Sequence, residues 1–264
     1  MNGTTTNADP IVSLQQVHVA LGQPGAQVPV LNGLSLDIMP GSFTAIVGPS
    51  GCGKTTILNL LADVVAPTSG EVLIKGASPK RTSARSGYML ARDALLPWRS
   101  VRKNVELPLE IRGHLSPGRR HEIAQDLIKR VGLAGYESHQ IKQLSHGMRQ
   151  RVSLARVLAF DPDMLLMDEP FSALDAQTRM RAQEFFLEVW ARDKKTVLLV
   201  THDIQEAIFM SDEVLVFSSR PATLVGRFSV HFPRPRSIED MRGDVEFSKL
   251  YDGIWALLKR DVSY

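Results

Sequence analysis
The 264 residues carry 31 Lys and Arg against 28 Asp and Glu, a formal net charge of +3, with 44% hydrophobic and 22% charged residues. That balance suits one globular domain, with or without a subdomain, and the length is ample for a core; it gives no electrostatic case for a nucleic-acid partner. The sole cysteine, Cys52, excludes an internal disulfide framework and suits a reducing compartment, and no run nears the roughly 18 consecutive apolar residues of a membrane-spanning helix.

The opening ten residues, MNGTTTNADP, have neither a basic start nor an apolar stretch, so they read as a frayed polar leader rather than a signal peptide. IVSLQQVHVALG and LNGLSLDIMPGSF then alternate apolar and polar positions with turn residues between them, which predicts a small antiparallel β section. FTAIVG (43–48) reads as a buried strand, Lys54–Val65 as a helix and EVLIKG (71–76) as another strand of the core. From about 91 to 160, helical patterns (Pro117–Val131 and Ser145–Phe160) and polar loops replace strands, and this stretch is expected to be a helical subdomain inserted between core strands. DMLLMDE (163–169), TVLLVTH (196–202) and DEVLVFS (212–218) resume the strands, with helices Ala176–Ala191 and Ile204–Met210 between them. Strands alternating with helices argue for a largely parallel α/β sheet. PRPRSIEDMRGD (233–244) leads to a short closing helix around Glu246–Lys259. The expected organisation is a leader over 1–10, a single domain over 11–232 and a C-terminal extension over 233–264.

GPSGCGKTT carries the first chemistry. Gly48, four residues, then Gly53, Lys54 and Thr55 form the P-loop pattern, with strand FTAIV before it and a helix after it. Glycines let successive backbone N–H groups turn inward around phosphate oxygens, and the helix N-terminus adds partial positive charge there. The expected nucleotide contacts are Gly48, Pro49, Ser50, Gly51, Cys52, Gly53, Lys54, Thr55 and Thr56; Lys54 reaches the β- and γ-phosphates and the Thr55 hydroxyl binds Mg²⁺. Cys52 brings no evident chemistry of its own. In MLLMDEP (164–170) four apolar residues form a buried strand, and Asp168 emerges at its end, able to hold Mg²⁺ through water. Glu169 follows as the candidate general base for an attacking water, a role that typically contributes ~10²–10⁴-fold.

QLSHGMRQRVSLARVL (143–158) stands upstream of MDEP and is followed by SALD (172–175) and LVTHD (199–203). In that order these stretches resemble the ATP-binding subunits of ABC transporters over nearly the whole chain. The resemblance implies an α/β fold: a P-loop NTPase core of the ABC ATPase type, with an N-terminal antiparallel β subdomain and an inserted helical subdomain. It implies ATP and Mg²⁺ as cofactors and a nucleotide-dependent head-to-tail dimer, either a homodimer or a pair with a related cassette. In that dimer the P-loop of one copy faces Ser145, His146 and Gly147 of the other, Asp175 crosses the interface, and His202 contacts the γ-phosphate and the reacting water. ALLPWRSVRKNVELPLEIRG (94–113) and SSRPATLVGRFSVHFPRPR (218–236) look like importers of the nitrate, sulfonate and taurine group. The partners so implied are two transmembrane permease subunits and, indirectly, an extracytoplasmic solute-binding protein. The implied location is peripheral, on the cytoplasmic face of the membrane. Leu95, Leu96 and Trp98 then become candidate permease contacts, against the alternative of packing inside the helical subdomain.

Three positions depart from the family pattern. Leu21 stands where an aromatic usually stacks on adenine, a contact worth about 1–3 kcal/mol, with His18 as a possible substitute. Ala91 stands where a glutamine follows the YML strand, and it can neither ligate Mg²⁺ nor orient water. His146 replaces the first glycine of the signature turn, where an imidazole crowds the phosphate, attracts it when protonated, or faces outward. Because Lys54, Thr55, Asp168, Glu169, Asp175 and His202 all remain, the expectation is a working ATPase. Its rivals are a regulatory nucleotide-binding subunit of low hydrolysis and a non-transport ABC protein acting on ribosomes or DNA.

Overall fold
A computed structural model describes residues 9–23 and 25–261. The polar leader read over 1–10 therefore falls, apart from Asp9 and Pro10, outside the described residues, as do the last three residues of the C-terminal extension.

Two sheets carry the fold. Strands β1 (Val12–Leu21), β2 (Val28–Ile38) and β4 (Ser69–Ile74) form an antiparallel sheet in the order β2-β1-β4. The six-stranded sheet runs β5 (Ser86–Leu90), β6 (Met164–Asp168), β7 (Thr196–Val200), β3 (Phe43–Val47), β8 (Glu213–Phe217), β9 (Leu224–Ser229). It is parallel except for β9, which pairs antiparallel with β8. The strand expected at EVLIKG exists but belongs to the antiparallel sheet, where Val12 faces Ile74 and Leu14 faces Val72. A short apolar run does not encode its pairing partner, and this placement corrects the reading of that strand as part of the core sheet.

Side-chain alternation along the central strands divides the interior into two cores. Ile46, Leu166, Leu198, Val200 and Leu215 face the antiparallel sheet and helix α1 (Lys54–Leu61). Their neighbours Ala45, Val47, Leu165, Met167, Val197 and Leu199 face the remaining helices. Helix α1 stops four residues short of the expected Val65: Ala62 closes it, and Asp63 turns to φ +57.

The helical subdomain is built from α2 (Val101–Arg112), α3 (Pro117–Arg130) and α4 (His146–Ala159). Ser100 and Ser116 cap the first two through hydrogen bonds accepted from Lys103 N and Arg119 N, and Pro117 sits at the favourable first helical position of α3. Val105, Leu109, Ala124, Leu127, Ile128, Val152 and Ala155 close the space between the three helices. Of the residues read either as partner contacts or as packing of this subdomain, Leu95 is only 8% exposed and belongs to the core, whereas Trp98 is 74% exposed. Helices α5 (Ala176–Asp193) and α6 (Ile204–Met210) pack in the same core as α2, α3 and α4, on the face of the sheet opposite α1. A short helix α7 (Ile238–Arg242) precedes α8 (Val245–Asp261), which sends Phe247, Leu250 and Ile254 into the main core. Each such burial stabilises by roughly 1.5–3 kcal/mol, so the C-terminal helix is part of the packed body. Among the described residues no helix is long and apolar enough to cross a membrane.

Candidate functional site
The loop between β3 and α1 has the backbone that phosphate binding needs. Gly51 sits at φ +74 and Gly53 at φ +123, both in the left-handed half of conformational space that favours glycine. A Cβ on Gly53 would stand 2.8 Å from Val30 Cγ1, so the β2 wall independently excludes a side chain there. Lys54, 6% exposed, curls back so that its ammonium donates to the carbonyls of Gly48 (2.8 Å) and Pro49 (2.9 Å). Its charge is thereby held inside the loop, where phosphate oxygens would compete for it. Ser50, Gly51 and Thr55 face solvent, while Thr56 is buried under the helix. Cys52 points into the core at 2% exposure and burial pushes its thiol up, so it packs the loop and is a poor nucleophile.

Asp168 ends β6 beside this loop, and its Oδ1 accepts a hydrogen bond from the Thr55 hydroxyl at 3.2 Å. Burial raises the Asp168 carboxyl above its ordinary value; the like charge of Glu169 adds to this, while Thr55 and Lys54 oppose it. A carboxylate and a hydroxyl this close, with no sulfur or imidazole between them, suit a hard cation such as Mg²⁺, and a cation would relieve the strain on the Asp168 charge. Among the described residues no three His, Cys, Asp or Glu side chains gather into a metal cage. Mg²⁺ characteristically uses one or two protein ligands and completes its shell with phosphate and water, so the pair fits it.

Glu169 follows in the left-handed region at φ +49, a conformation that costs an ordinary residue on the order of 1–3 kcal/mol. Its N–H donates to Val200 O (2.9 Å), and its carbonyl accepts from Ser172 N (3.2 Å) and Ser172 Oγ (2.9 Å). The turn thus swings its carboxylate to 3.3 Å from His202 Nδ1 at the end of β7. Thr201 N donates to Ile46 O, locking the end of β7 to β3. The cradle, Asp168, Glu169 and His202 therefore meet at the carboxyl ends of adjacent parallel strands, where open α/β sheets bind ligands.

A second edge gathers Ser145, His146, Gly147 and Asp175. Ser145 caps α4 by accepting from Met148 N (3.3 Å), and Asp175 caps α5 by accepting from Thr178 N (3.1 Å). These backbone donors hold the Asp175 carboxyl below its ordinary value. A Cβ on Gly147 would lie 3.5 Å from Thr178 Cγ2, so the two helix starts are neighbours. His146 is the first residue of α4, and its Nδ1 is buried with no hydrogen-bond partner.

Of the other departures, Leu21 ends β1 half-exposed, and Ala91 directly follows Leu90, the register partner of Asp168. His18 turns to β2, where its Nδ1 accepts from Gly33 N at 3.3 Å, and is therefore committed within its own sheet.

Four residues past His202 lies a buried polar group that no motif of the sequence marks. Glu206, 6% exposed, accepts from Gln183 Nε2 at 2.8 Å, and burial raises its carboxyl. Arg179 NH2 donates to Leu174 O (3.0 Å) and Arg179 NH1 lies 3.5 Å from Asp203 Oδ2, joining the turn before Asp175 to the residue after His202. Tyr88 was also passed over; its phenol donates to Asn59 Oδ1 and is pushed up to about 12 by burial and by the Asp168 charge. The apolar pattern of a helix or strand does not encode the polar partner of a single residue, so no local signal singles these positions out.

A family model described as ABC transporter matches residues 31–172. An uncharacterised ABC transporter ATP-binding protein of Methanocaldococcus jannaschii is 43% identical over 238 residues, covering 90% of this chain and 87% of that protein. A taurine import ATP-binding protein of Yersinia pestis is 47% identical over 204 residues, 77% of this chain and 80% of its own. Among solved structures, a dimeric ATP-binding cassette in a post-hydrolysis state with ADP and Pi matches with a TM-score of 0.71 at 30% identity, over 84% of this chain and 100% of that one. Similarity of this extent, on a fold whose cradle and strand ends converge as described, establishes that the chain belongs to the ABC transporter family, as one of its ATP-hydrolysing, ATP-binding cassettes.

Proposed function
We propose that the chain is the energy-supplying subunit of a binding-protein-dependent importer for a small solute, taurine, an alkanesulfonate or nitrate being the candidates, and that it works as a dimer on the cytoplasmic face of the membrane. The observation that carries the chemistry is the convergence of Lys54, Thr55, Asp168, Glu169 and His202, with Thr55 and Asp168 3.2 Å apart and Glu169 and His202 3.3 Å apart. In this reading the backbone of residues 48–53 and the Lys54 ammonium hold the β- and γ-phosphates. Thr55 and Asp168 hold Mg²⁺, which when bound neutralises charge developing on the phosphate oxygens. Glu169 accepts the proton of the attacking water, and His202 orients that water and the γ-phosphate. Ser145, His146, Gly147 and Asp175 complete the site across the dimer from the second copy.

The import direction and the solute class are supported by the names of relatives that import taurine, 39–47% identical to this chain. A permease pair is supported by the exposed Trp98 and, separately, by the groove between β5 and the helical subdomain lined by Tyr88, Leu107, Pro108, Ile111, Val157 and Phe160. The proposed organisation is one cassette over 11–232 with the C-terminal helix packed against it. Steady-state turnover of Mg²⁺–ATP by the purified chain tests the chemistry. Glu169→Gln is expected to lower it by ~10²–10⁴-fold while ATP binding survives; unchanged turnover in that variant would remove Glu169 from its role.

A further inference from the structure
Asp93 and Ala94, in the loop after β5, are bound to α4 more tightly than a connecting loop requires. Arg149 Nε donates to Asp93 Oδ2 at 2.9 Å, and the same guanidinium sends NH1 to Leu144 O, also at 2.9 Å. One helical turn further on, Ser153 Oγ donates to Asp93 O (3.3 Å), and a second turn on, Arg156 donates to Asp93 O (3.0 Å) and Ala94 O (2.9 Å). Residues 149, 153 and 156 lie on one face of the helix, so a whole stripe of α4 is given over to this loop. Ala94 is held at φ +46, a left-handed conformation without a glycine, as expected of a segment fixed by its surroundings. Asp93 and Arg149 are both largely shielded, at 22% and 29% side-chain exposure, so solvent screens their attraction less than at an open surface pair.

The two ends of this connection are the informative part. The loop starts at Ala91, next to Leu90, which pairs in register with Asp168 on the metal side of the cradle. Its far end is Leu144, whose carbonyl precedes Ser145, the cap of the turn that faces the second copy. An Arg guanidinium is planar and rigid, so its two bonds fix the Asp93 carboxylate and the Leu144 carbonyl relative to each other. With alanine at 91, the loop has no side-chain amide of its own to offer the metal site, and Asp93 is its anchor.

We propose that Arg149 is a positioning residue: paired with Asp93, it sets the Ser145–Gly147 turn from the edge of the metal site and is thereby required for ATP-driven pairing of two copies. This rests on the two-copy reading of the site given above. The role is thermodynamic, a coupling between one copy's nucleotide pocket and the turn it presents to the other.

The test uses the full chain in a Glu169→Gln background, with Mg²⁺–ATP as the probe. Dimerisation is followed by analytical ultracentrifugation, and nucleotide affinity of the dilute monomer by a fluorescent ATP analogue. Arg149→Ala and Asp93→Asn are each expected to raise the ATP concentration for half-dimerisation roughly tenfold, within the range of couplings through packed networks, with monomer affinity changed less than twofold. The double variant is expected to match either single one. Arg149→Lys keeps the charge beside Asp93 but lacks the fork, so it is expected to stay impaired, whereas a merely structural ion pair would be restored by it. Arg119→Ala, which breaks an exposed pair with Glu122 on α3, is expected to change nothing. Dimerisation of Asp93→Asn and Arg149→Ala at the parental ATP concentration would overturn the proposal, as would equal losses of monomer affinity. If Arg149→Ala does not fold, Asp93→Asn, which keeps side-chain size, decides the matter alone. A parent that never dimerises on ATP would instead contradict the two-copy reading itself.

Discussion

Ser145 has two jobs in this account, one inside its own chain and one across the dimer, and two substitutions separate them. Its side chain accepts from Met148 N at 3.3 Å and caps α4. Ser145→Ala removes that bond, which costs about 1 kcal/mol and lowers Tm by about 2–4 °C for a chain of this size. Ser145→Asp keeps the cap, since aspartate caps as well as serine, and its charge suits a helix N-terminus. Its stability should therefore stay within about 0.5 kcal/mol of the parent. Across the dimer the outcome reverses. A carboxylate about 4 Å from a phosphate charge is repelled by ~4 kcal/mol per unit charge at an effective dielectric constant of 20, and the helix dipole offsets no more than about 1 kcal/mol of that. The remainder corresponds to a loss of roughly 10²-fold per site in the pairing equilibrium. Thermal unfolding and ATP-driven dimerisation in the Glu169→Gln background measure the two effects separately. Ser145→Asp is expected to be as stable as the parent and unable to dimerise on ATP. If it dimerises at the parental ATP concentration, the turn does not face a phosphate and the trans assignment of Ser145, His146 and Gly147 fails.

Two other substitutions probe groups the fold has buried. Glu206 has a folded pKa raised above its ordinary 4.5, mainly by burial. The stability it contributes is fully present below that value and is lost as pH rises through the folded pKa. Glu206→Gln keeps an acceptor for Gln183 without the charge, so it is expected to flatten the rise in denaturant sensitivity as pH climbs above 4.5, and parent and variant midpoints that run parallel with pH would contradict this. His146→Gly deletes the ring whose Nδ1 is buried without a partner, relieving a cost of about 1–3 kcal/mol against up to about 1 kcal/mol for a helical glycine. It is expected to leave Tm within a few degrees and to lower the ATP concentration for half-dimerisation, and an unchanged threshold would make the histidine a bystander.

The parts of the site that were legible in the sequence are those whose signal is local. The cradle could be read because its glycines are demanded by backbone angles within six residues, and the Asp168–Glu169 pair because an apolar strand ends directly at them. Helices with a cap and a clear apolar face, such as α3 and α4, fell where periodicity put them. EVLIKG was assigned to the wrong sheet because its partner, β1, is decided by contacts some 60 residues away and not by its own composition. Strand β9 escaped notice because an edge strand with alternating half-buried and exposed positions carries little apolar signal. The network of Asp93 with Arg149, and of Glu206 with Gln183, joins residues separated by 56 and 23 positions. Polar residues that far apart read as solvated until the chain is folded.

The central claim is that ATP is hydrolysed at a site completed by a second copy. Specific Mg²⁺–ATP turnover, per chain, should therefore be measured on the purified protein as its concentration is varied over three to four decades at saturating ATP, alongside Glu169→Gln. The account predicts turnover per chain that falls toward zero on dilution, rises to a plateau as dimers form, and stays low throughout in Glu169→Gln. Turnover per chain that is constant down to the lowest concentration, or that survives in Glu169→Gln, would contradict it.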